Sequence, residues 1–86
     1  MESDILLVRV QDAVAEALQI PPSQVPRDLA FGGIKEWDSM GHMSVMLMLE
    51  ERFGISIDAE IIAALISIPA IYEYVLKTGK ENSHVG

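Results

Sequence analysis

The chain has 86 residues, half of them hydrophobic, and six basic against thirteen acidic residues give it a formal net charge of −7. This length predicts one small domain, and the absence of cysteine excludes disulfides and thiolate metal sites. The acidity disfavours nucleic acid and anionic membranes as partners and favours basic docking surfaces, although acidity also serves solubility alone.

No segment reaches the roughly 20 apolar residues that a membrane-spanning helix needs. Residues 1–20 begin with acidic side chains and lack the basic start of a signal peptide. The sequence has two histidines far apart and no calcium-loop motif, so no metal site is expected. We therefore expect a soluble, cytoplasmic monomer that does not enter a membrane.

The first predicted helix covers residues 4–19. Ser3 or Asp4 can cap its start, and Pro21 and Pro22 are predicted to end it because proline cannot continue the hydrogen-bond ladder. Its apolar residues form one stripe at helical spacing: Leu6, Val10, Ala13, Val14, Ala17 and Leu18.

A long loop is predicted over residues 21–38, since this stretch contains three prolines and the pair Gly32–Gly33. Loops of this length in a small domain are usually functional or pinned by their own side chains. Its apolar residues Leu29, Phe31 and Ile34 are expected to tuck into the core.

The second predicted helix covers residues 39–53, with Asp38 as its N-cap and Gly54 as its C-terminal stop. It has more apolar residues than one buried stripe needs. Four are expected to face the core: Val45, Met46, Leu49 and Phe53. The others leave a second apolar face on the surface: Met40, Met43 and Leu47.

Two more helices complete the predicted fold. Asp58 can cap a short third helix of about residues 59–65, and a last helix follows a break near Ser67 with Pro69 in its first turn. The buried side of the last helix is predicted to contain Ile71, Val75 and Leu76.

Gly79 is predicted to follow the end of the last helix, and residues 80–86 are predicted to be a flexible polar tail. The sequence as a whole therefore predicts an all-α, small four-helix bundle over residues 1–79. Three of its helices are main helices, the third is short, and a long loop joins the first two.

Ser39 lies where the long loop gives way to the second helix. A hydroxyl at a helix start lies beside unpaired backbone N–H groups and the positive end of the helix dipole, which suits an anionic group such as phosphate. The Gly-x-Ser-x-Gly elbow of hydrolases is absent, and His42 is expected to be half-buried against the loop. We therefore predict that the chain is not an enzyme and that other enzymes act on Ser39.

The chain resembles the acyl carrier proteins and the related peptidyl carrier domains over roughly residues 4–78. The resemblance lies in two runs on the second helix and just beyond it: Asp38, Ser39 and Met40, then Leu49, Glu50, Glu51, Arg52, Phe53, Gly54 and Ile55. It implies that Ser39 is esterified with 4′-phosphopantetheine, taken from coenzyme A by a phosphopantetheinyl transferase that needs Mg²⁺. The thiol of that arm would carry acyl or aminoacyl groups as thioesters between a loading enzyme and downstream biosynthetic enzymes.

The same resemblance implies a docking surface for these partners. Asp38 would lie on the side that faces the transferase, and the acidic pair Glu50 and Glu51 would mark the far end of the docking helix. The apolar part of the surface would consist of Met40, Met43 and Leu47. Methionine suits such a surface because its flexible side chain adapts to several partners.

Three features depart from the pattern of many fatty-acid carriers. Trp37 stands where glycine is common; it either shields the arm or binds a partner, or it anchors the loop, and we favour the anchor. Ser44 replaces a common carboxylate, and the third helix is mostly apolar, so Ile61 and Ile62 are expected to dock partners by hydrophobic contact. These departures favour polyketide, nonribosomal peptide or related biosynthesis.

The alternative is a small acidic helical protein-interaction module with no prosthetic group. In that case the methionines of the second helix would be ordinary core and Ser39 would stay unmodified. Glu50 and Glu51 would then be no more than a solvated helix end.

Overall fold

The structure, a computed structural model, describes residues 2–78, and of residues 2–4 it describes the backbone alone. Its four α-helices are α1 (Glu2–Leu18), α2 (Ser39–Phe53), α3 (Ala59–Ala64) and α4 (Ile68–Thr78). A short 3-10 helix, Pro22–Gln24, lies in the loop between α1 and α2. The predicted all-α bundle with a short third helix is therefore confirmed, while the predicted tail, 80–86, lies outside the described residues.

α1 begins at Glu2, two residues earlier than predicted, so Ser3 and Asp4 lie inside the helix and neither occupies a capping position. Of the six predicted core residues, all but Ala17 are buried. Ala17 is only partly buried, and Ala15, which was not predicted, belongs to the core. The reason is that α1 packs against both α2 and α4 and so buries a face wider than one stripe.

The end of α1 is set by a turn that precedes the two prolines. Gln19 adopts a left-handed conformation with φ 60°. Its N–H donates to Glu16 O at 3.2 Å, and the N–H of Ile20 donates to Ala15 O at 3.0 Å. This pair of hydrogen bonds is a Schellman motif, so the prediction that the prolines end the helix is wrong. They follow a helix that has already stopped.

The core lies where α1, α2 and α4 meet. Its fully buried aliphatic side chains come from all three helices and the loop: Val10, Val14, Val25, Val45, Leu49, Ile68, Ile71 and Val75. Burial of a side chain of this size contributes about 1.5–3 kcal/mol. All four core residues predicted for α2 are buried, as expected.

On α4, Ile71 and Val75 are buried as predicted, but Leu76 is exposed and the prediction for it is wrong. Ile68, the first residue of the helix, is buried in its place. Residues 68, 71 and 75 repeat at helical spacing on one face, whereas residue 76 is rotated by about 100° from residue 75.

The loop is tied to the rest of the fold by backbone hydrogen bonds. Phe31 N–H donates to Ile66 O and Ile68 N–H donates to Leu29 O, both at 2.8 Å, so the loop pairs with the connection between α3 and α4. Leu29 is buried and Ile34 is partly buried, but Phe31 is exposed, and its predicted place in the core is wrong. The aromatic residue of this loop that is buried is Trp37.

Candidate functional site

The start of α2 is built by Asp38, which caps the helix as predicted. Its backbone is extended, and its side-chain Oδ1 accepts a hydrogen bond from the N–H of Gly41 at 2.9 Å. Its carbonyl oxygen accepts from the N–H of His42 at 2.7 Å, which closes the first turn of the helix. Ser39 is therefore the first residue of α2.

Ser39 is exposed at this helix start. In the part of the chain that the structure describes, no side chain or backbone group forms a hydrogen bond with its hydroxyl. The first N–H groups of a helix have no partner within the helix, so the hydroxyl lies beside free donors and the positive end of the dipole. The arrangement offers an accessible hydroxyl and a favourable place for negative charge, and none of the described side chains is hydrogen-bonded to the oxygen as an activating base would be.

Gly41 allows the loop to cross close to the first turn of α2. A Cβ atom at this position would lie 2.2 Å from Glu36 O and 2.8 Å from Leu18 Cδ2, and a separation of 2.2 Å from a backbone atom is a clash. Glycine costs about 1 kcal/mol inside a helix relative to alanine, so a glycine in an apolar-periodic segment signals close packing. Sequence reasoning missed this signal.

Two ring side chains are buried directly behind the start of α2. His42 is 7% exposed and Trp37 is 0% exposed. Trp37 Nε1 donates to His42 Nδ1 at 2.9 Å, and His42 Nε2 lies 2.8 Å from the backbone oxygen of Ile62. Trp37 is thus the loop anchor that we favoured, and its place among partner-binding residues is wrong because none of its surface is accessible. His42 is more deeply buried than predicted.

The second apolar face of α2 is exposed, as predicted. We call it the α2 apolar face, and it consists of Met40, Met43 and Leu47. Met40 is 81% exposed and Met43 is 48% exposed, and the face begins next to Ser39. Ser44 is also exposed, and of the acidic pair Glu51 is exposed and Glu50 partly so.

The sequence profile of the family described as "Phosphopantetheine attachment site" matches residues 8–75. The chain belongs to this family. It is also similar to an acyl carrier protein of Rubrobacter xylanophilus, with 26% identity over 77 residues that cover 90% of this chain and 95% of the relative. The predicted kinship with the acyl and peptidyl carriers is confirmed.

Membership of the phosphopantetheine attachment family defines the chemistry of the chain. Such a protein carries covalently attached 4′-phosphopantetheine as its prosthetic group. It acts as a carrier and not as a catalyst, and it works with transferases and biosynthetic enzymes. In the described part of this carrier, no helix could cross a membrane and no group of three or more His, Cys, Asp or Glu residues could hold a metal ion.

The two isoleucines of α3 are only partly exposed. Ile61 and Ile62 are partly buried and pack against the core, so only part of each side chain could reach a partner. Asp58 caps α3 as predicted, since its Oδ1 accepts from the N–H of Ile61 at 3.0 Å. That Ile61 and Ile62 bind partners by hydrophobic contact stays a prediction.

The exposure of two hydrophobic residues, Phe31 in the loop and Ile66 after α3, was missed. Phe31 and Ile66 are joined by a backbone hydrogen bond, and both side chains are exposed. The ring of Phe31 lies edge-on to the ring of His42, with 5.4 Å between centroids. The sequence carried no local signal for this neighbourhood, because residues 31 and 66 meet only through tertiary pairing.

Proposed function

We propose that Ser39 is the residue of this carrier that holds 4′-phosphopantetheine. The observation that carries the proposal is its exposed hydroxyl, which has no hydrogen-bond partner among residues 2–78, at the first residue of a fifteen-residue helix. Ser67, at the start of α4, offers a contrast, because its Oγ accepts a hydrogen bond from the N–H of Ala70 at 3.2 Å. Ser44 is exposed as well, but it lies more than one turn inside α2, away from the free N–H groups.

The proposed attachment is a phosphoryl-group transfer catalysed by another enzyme. A bond forms between Ser39 Oγ and phosphorus, the phosphoanhydride bond of coenzyme A breaks, the nucleotide part leaves, and the hydroxyl proton is released. The phosphodiester that results is negatively charged, and the N-terminal end of α2 favours that charge. The group supplies a thiol for thioesters, which the chain itself lacks because it has no cysteine.

We further propose that the cargo is an acyl or aminoacyl group of polyketide, nonribosomal peptide or related biosynthesis. The α2 apolar face supports this, since it indicates docking by hydrophobic contact beside Ser39. Asp38, Ser44 and Glu51 are exposed and Glu50 is partly exposed, and in this proposal they form the polar rim of the docking surface. The family match disfavours the alternative of an interaction module without a prosthetic group.

The direct test is the intact mass of the protein. Wild-type protein incubated with coenzyme A, Mg²⁺ and a transferase of broad specificity should gain the mass of one phosphopantetheine group. Peptide mapping should place that mass on the peptide that contains Ser39. A gain located on any other residue, or no gain with several competent transferases, would overturn the proposal.

Docking by the α2 apolar face predicts an order of effects on affinity. Met43→Ala should weaken binding to the transferase by about fivefold or more, because a buried anchor at an interface is typically worth above 1 kcal/mol. Glu50→Lys and Glu51→Lys should each weaken it less, because exposed ion pairs are worth about 0–1 kcal/mol and are screened by salt. The measurement is the Kd of each apo variant, by calorimetry at 0.15 M salt.

Val8→Ala is the matched control for Met43→Ala. Val8 is 52% exposed, close to the 48% of Met43, but it lies on α1 and outside the α2 apolar face. Its truncation should leave the Kd within about twofold of wild type, as for surface substitutions outside an interface. Equal losses from Met43→Ala and from both charge reversals would contradict apolar docking.

A further inference from the structure

His42 joins three segments around the start of α2. It belongs to α2, its Nδ1 meets Trp37 from the loop, and its Nε2 meets Ile62 from α3. Phe31, also from the loop, packs its ring edge-on against the imidazole. With 7% exposure, the ring is enclosed by these contacts. None of this is needed to make the Ser39 hydroxyl accessible, so the cluster requires another explanation.

The partners of the imidazole determine where its proton lies. The indole N–H of Trp37 can only donate, so Nδ1 of His42 must accept and carries no hydrogen. The carbonyl oxygen of Ile62 can only accept, so Nε2 must donate and carries the hydrogen. The arrangement therefore requires a neutral imidazole in a single tautomer, assigned from the hydrogen-bond network.

α3 is the helix that depends most on this contact. It has six residues, and none of them is buried. A continuing helix would satisfy the carbonyl of Ile62 with the N–H of Ile66, but that N–H donates to Ala64 O at 3.0 Å. The orphaned carbonyl is satisfied instead by the side chain of His42. The imidazole thus caps the C-terminal end of α3 and fastens it to α2.

We infer that His42 is a positioning residue for the modification of this carrier. Its Nε2–H imidazole holds the loop through Trp37 and α3 through Ile62, and so sets the shape of the surface that a transferase meets around Ser39. Ser39 lies three residues before His42 on α2, which places the two within the same turn of the helix. The inference rests on the proposed function, because it takes Ser39 as the modified residue.

The first test is nuclear magnetic resonance on the wild-type apo protein. The ¹⁵N shifts of His42 should show an unprotonated Nδ1 and a protonated Nε2, with His84→Gln assigning the signals of the other histidine. The chain has one tryptophan, so its single indole N–H signal reports on the Trp37 contact and should be protected from solvent exchange. The opposite tautomer, or an indole proton that exchanges as fast as in the urea-unfolded chain, would overturn the inference.

The second test compares two replacements of the imidazole. His42→Gln keeps one acceptor and one donor, whereas His42→Phe keeps the ring but neither hydrogen bond. His42→Phe should lower kcat/KM for phosphopantetheine transfer by about tenfold, because small displacements of a reacting group cost this much or more. His42→Gln should recover most of that loss, and His84→Gln should change nothing.

The rates are measured well below the melting temperature of each variant, so that every variant is folded. If His42 served only to stabilise the fold, the rates of the folded variants would be equal. A His42→Phe variant that is modified as fast as wild type contradicts the inferred role of His42 but does not contradict the proposed function of Ser39. If His42→Phe does not fold, a His42→Gln variant with an unprotected indole N–H and an unchanged rate gives the same contradiction. A wild type that gains no mass at all contradicts the proposed function instead.

Discussion

Ser39→Ala is expected to abolish the gain of mass on treatment with coenzyme A and a transferase. The substitution removes the one oxygen that would form the bond to phosphorus, so no partial activity should remain. Ser39 is exposed and its hydroxyl has no partner in the described part of the chain, so the loss should not come from unfolding. Such a surface substitution should change the free energy of unfolding by less than about 0.5 kcal/mol.

Ser44→Ala is the matched control for this experiment. Ser44 is exposed on the same helix, five residues further along. It would be an alternative attachment site only if position along α2 did not matter. We expect the control to gain the full mass of one phosphopantetheine group at the end point of the reaction, as judged by intact mass spectrometry. Its rate is not compared, because Ser44 belongs to the proposed docking surface. Modification of Ser39→Ala would place the attachment site elsewhere.

Trp37→Ala is expected to cause the largest loss of stability of any substitution near the site. The side chain is 0% exposed and donates a buried hydrogen bond to His42. Truncation of a buried aromatic residue costs about 3–5 kcal/mol. Domains of this kind have total stabilities of roughly 5–15 kcal/mol. The variant should therefore unfold at a much lower urea concentration than wild type, as followed by circular dichroism at 222 nm, an observation that does not depend on tryptophan fluorescence.

Met40→Ala serves as the control for Trp37→Ala. Met40 lies three residues from Trp37 and is 81% exposed, so its truncation should change the unfolding free energy by less than about 0.5 kcal/mol. A Trp37→Ala variant that lost less than about 1 kcal/mol would mean that the loop is not anchored through this ring. Together with Ser39→Ala, these variants separate the residue that would hold the prosthetic group from the residue that holds the loop.

The local features of the fold could be predicted because their causes lie within a few residues of each other. Asp38 and Asp58 cap α2 and α3 through their own side chains, and the hydrogen bonds that do so span three residues. Gly54 ends α2 in a left-handed conformation, φ 63°, that glycine adopts without strain. The exposed position of Ser39 followed from the same local reasoning, since a helix start leaves its side chain near solvent.

Predictions about burial failed where the burial of a residue depends on which other segments pack against it. Phe31 and Trp37 are both aromatic residues of one loop, and periodicity cannot say which of them enters the core. Trp37 is buried because a donor on its ring finds an acceptor on His42, while Phe31 remains at the surface against that same histidine. Leu76 is exposed for a similar reason, because the neighbours of α4 contact only one face of the helix.

The sequence by itself determined the four helices, the N-caps of α2 and α3, the exposed serine and the kinship with carrier proteins. The helices, the two caps and the exposed serine depend on short-range hydrogen bonds and on the spacing of apolar residues along one segment. The kinship was indicated by the resemblance of two motifs on α2 to those of the carrier family. Only the tertiary structure decided that His42 bridges the loop and α3, and that Gly41 must lack a side chain where Glu36 passes. These features depend on the approach of segments up to twenty residues apart, as for His42 and Ile62, and no local pattern encodes such distances.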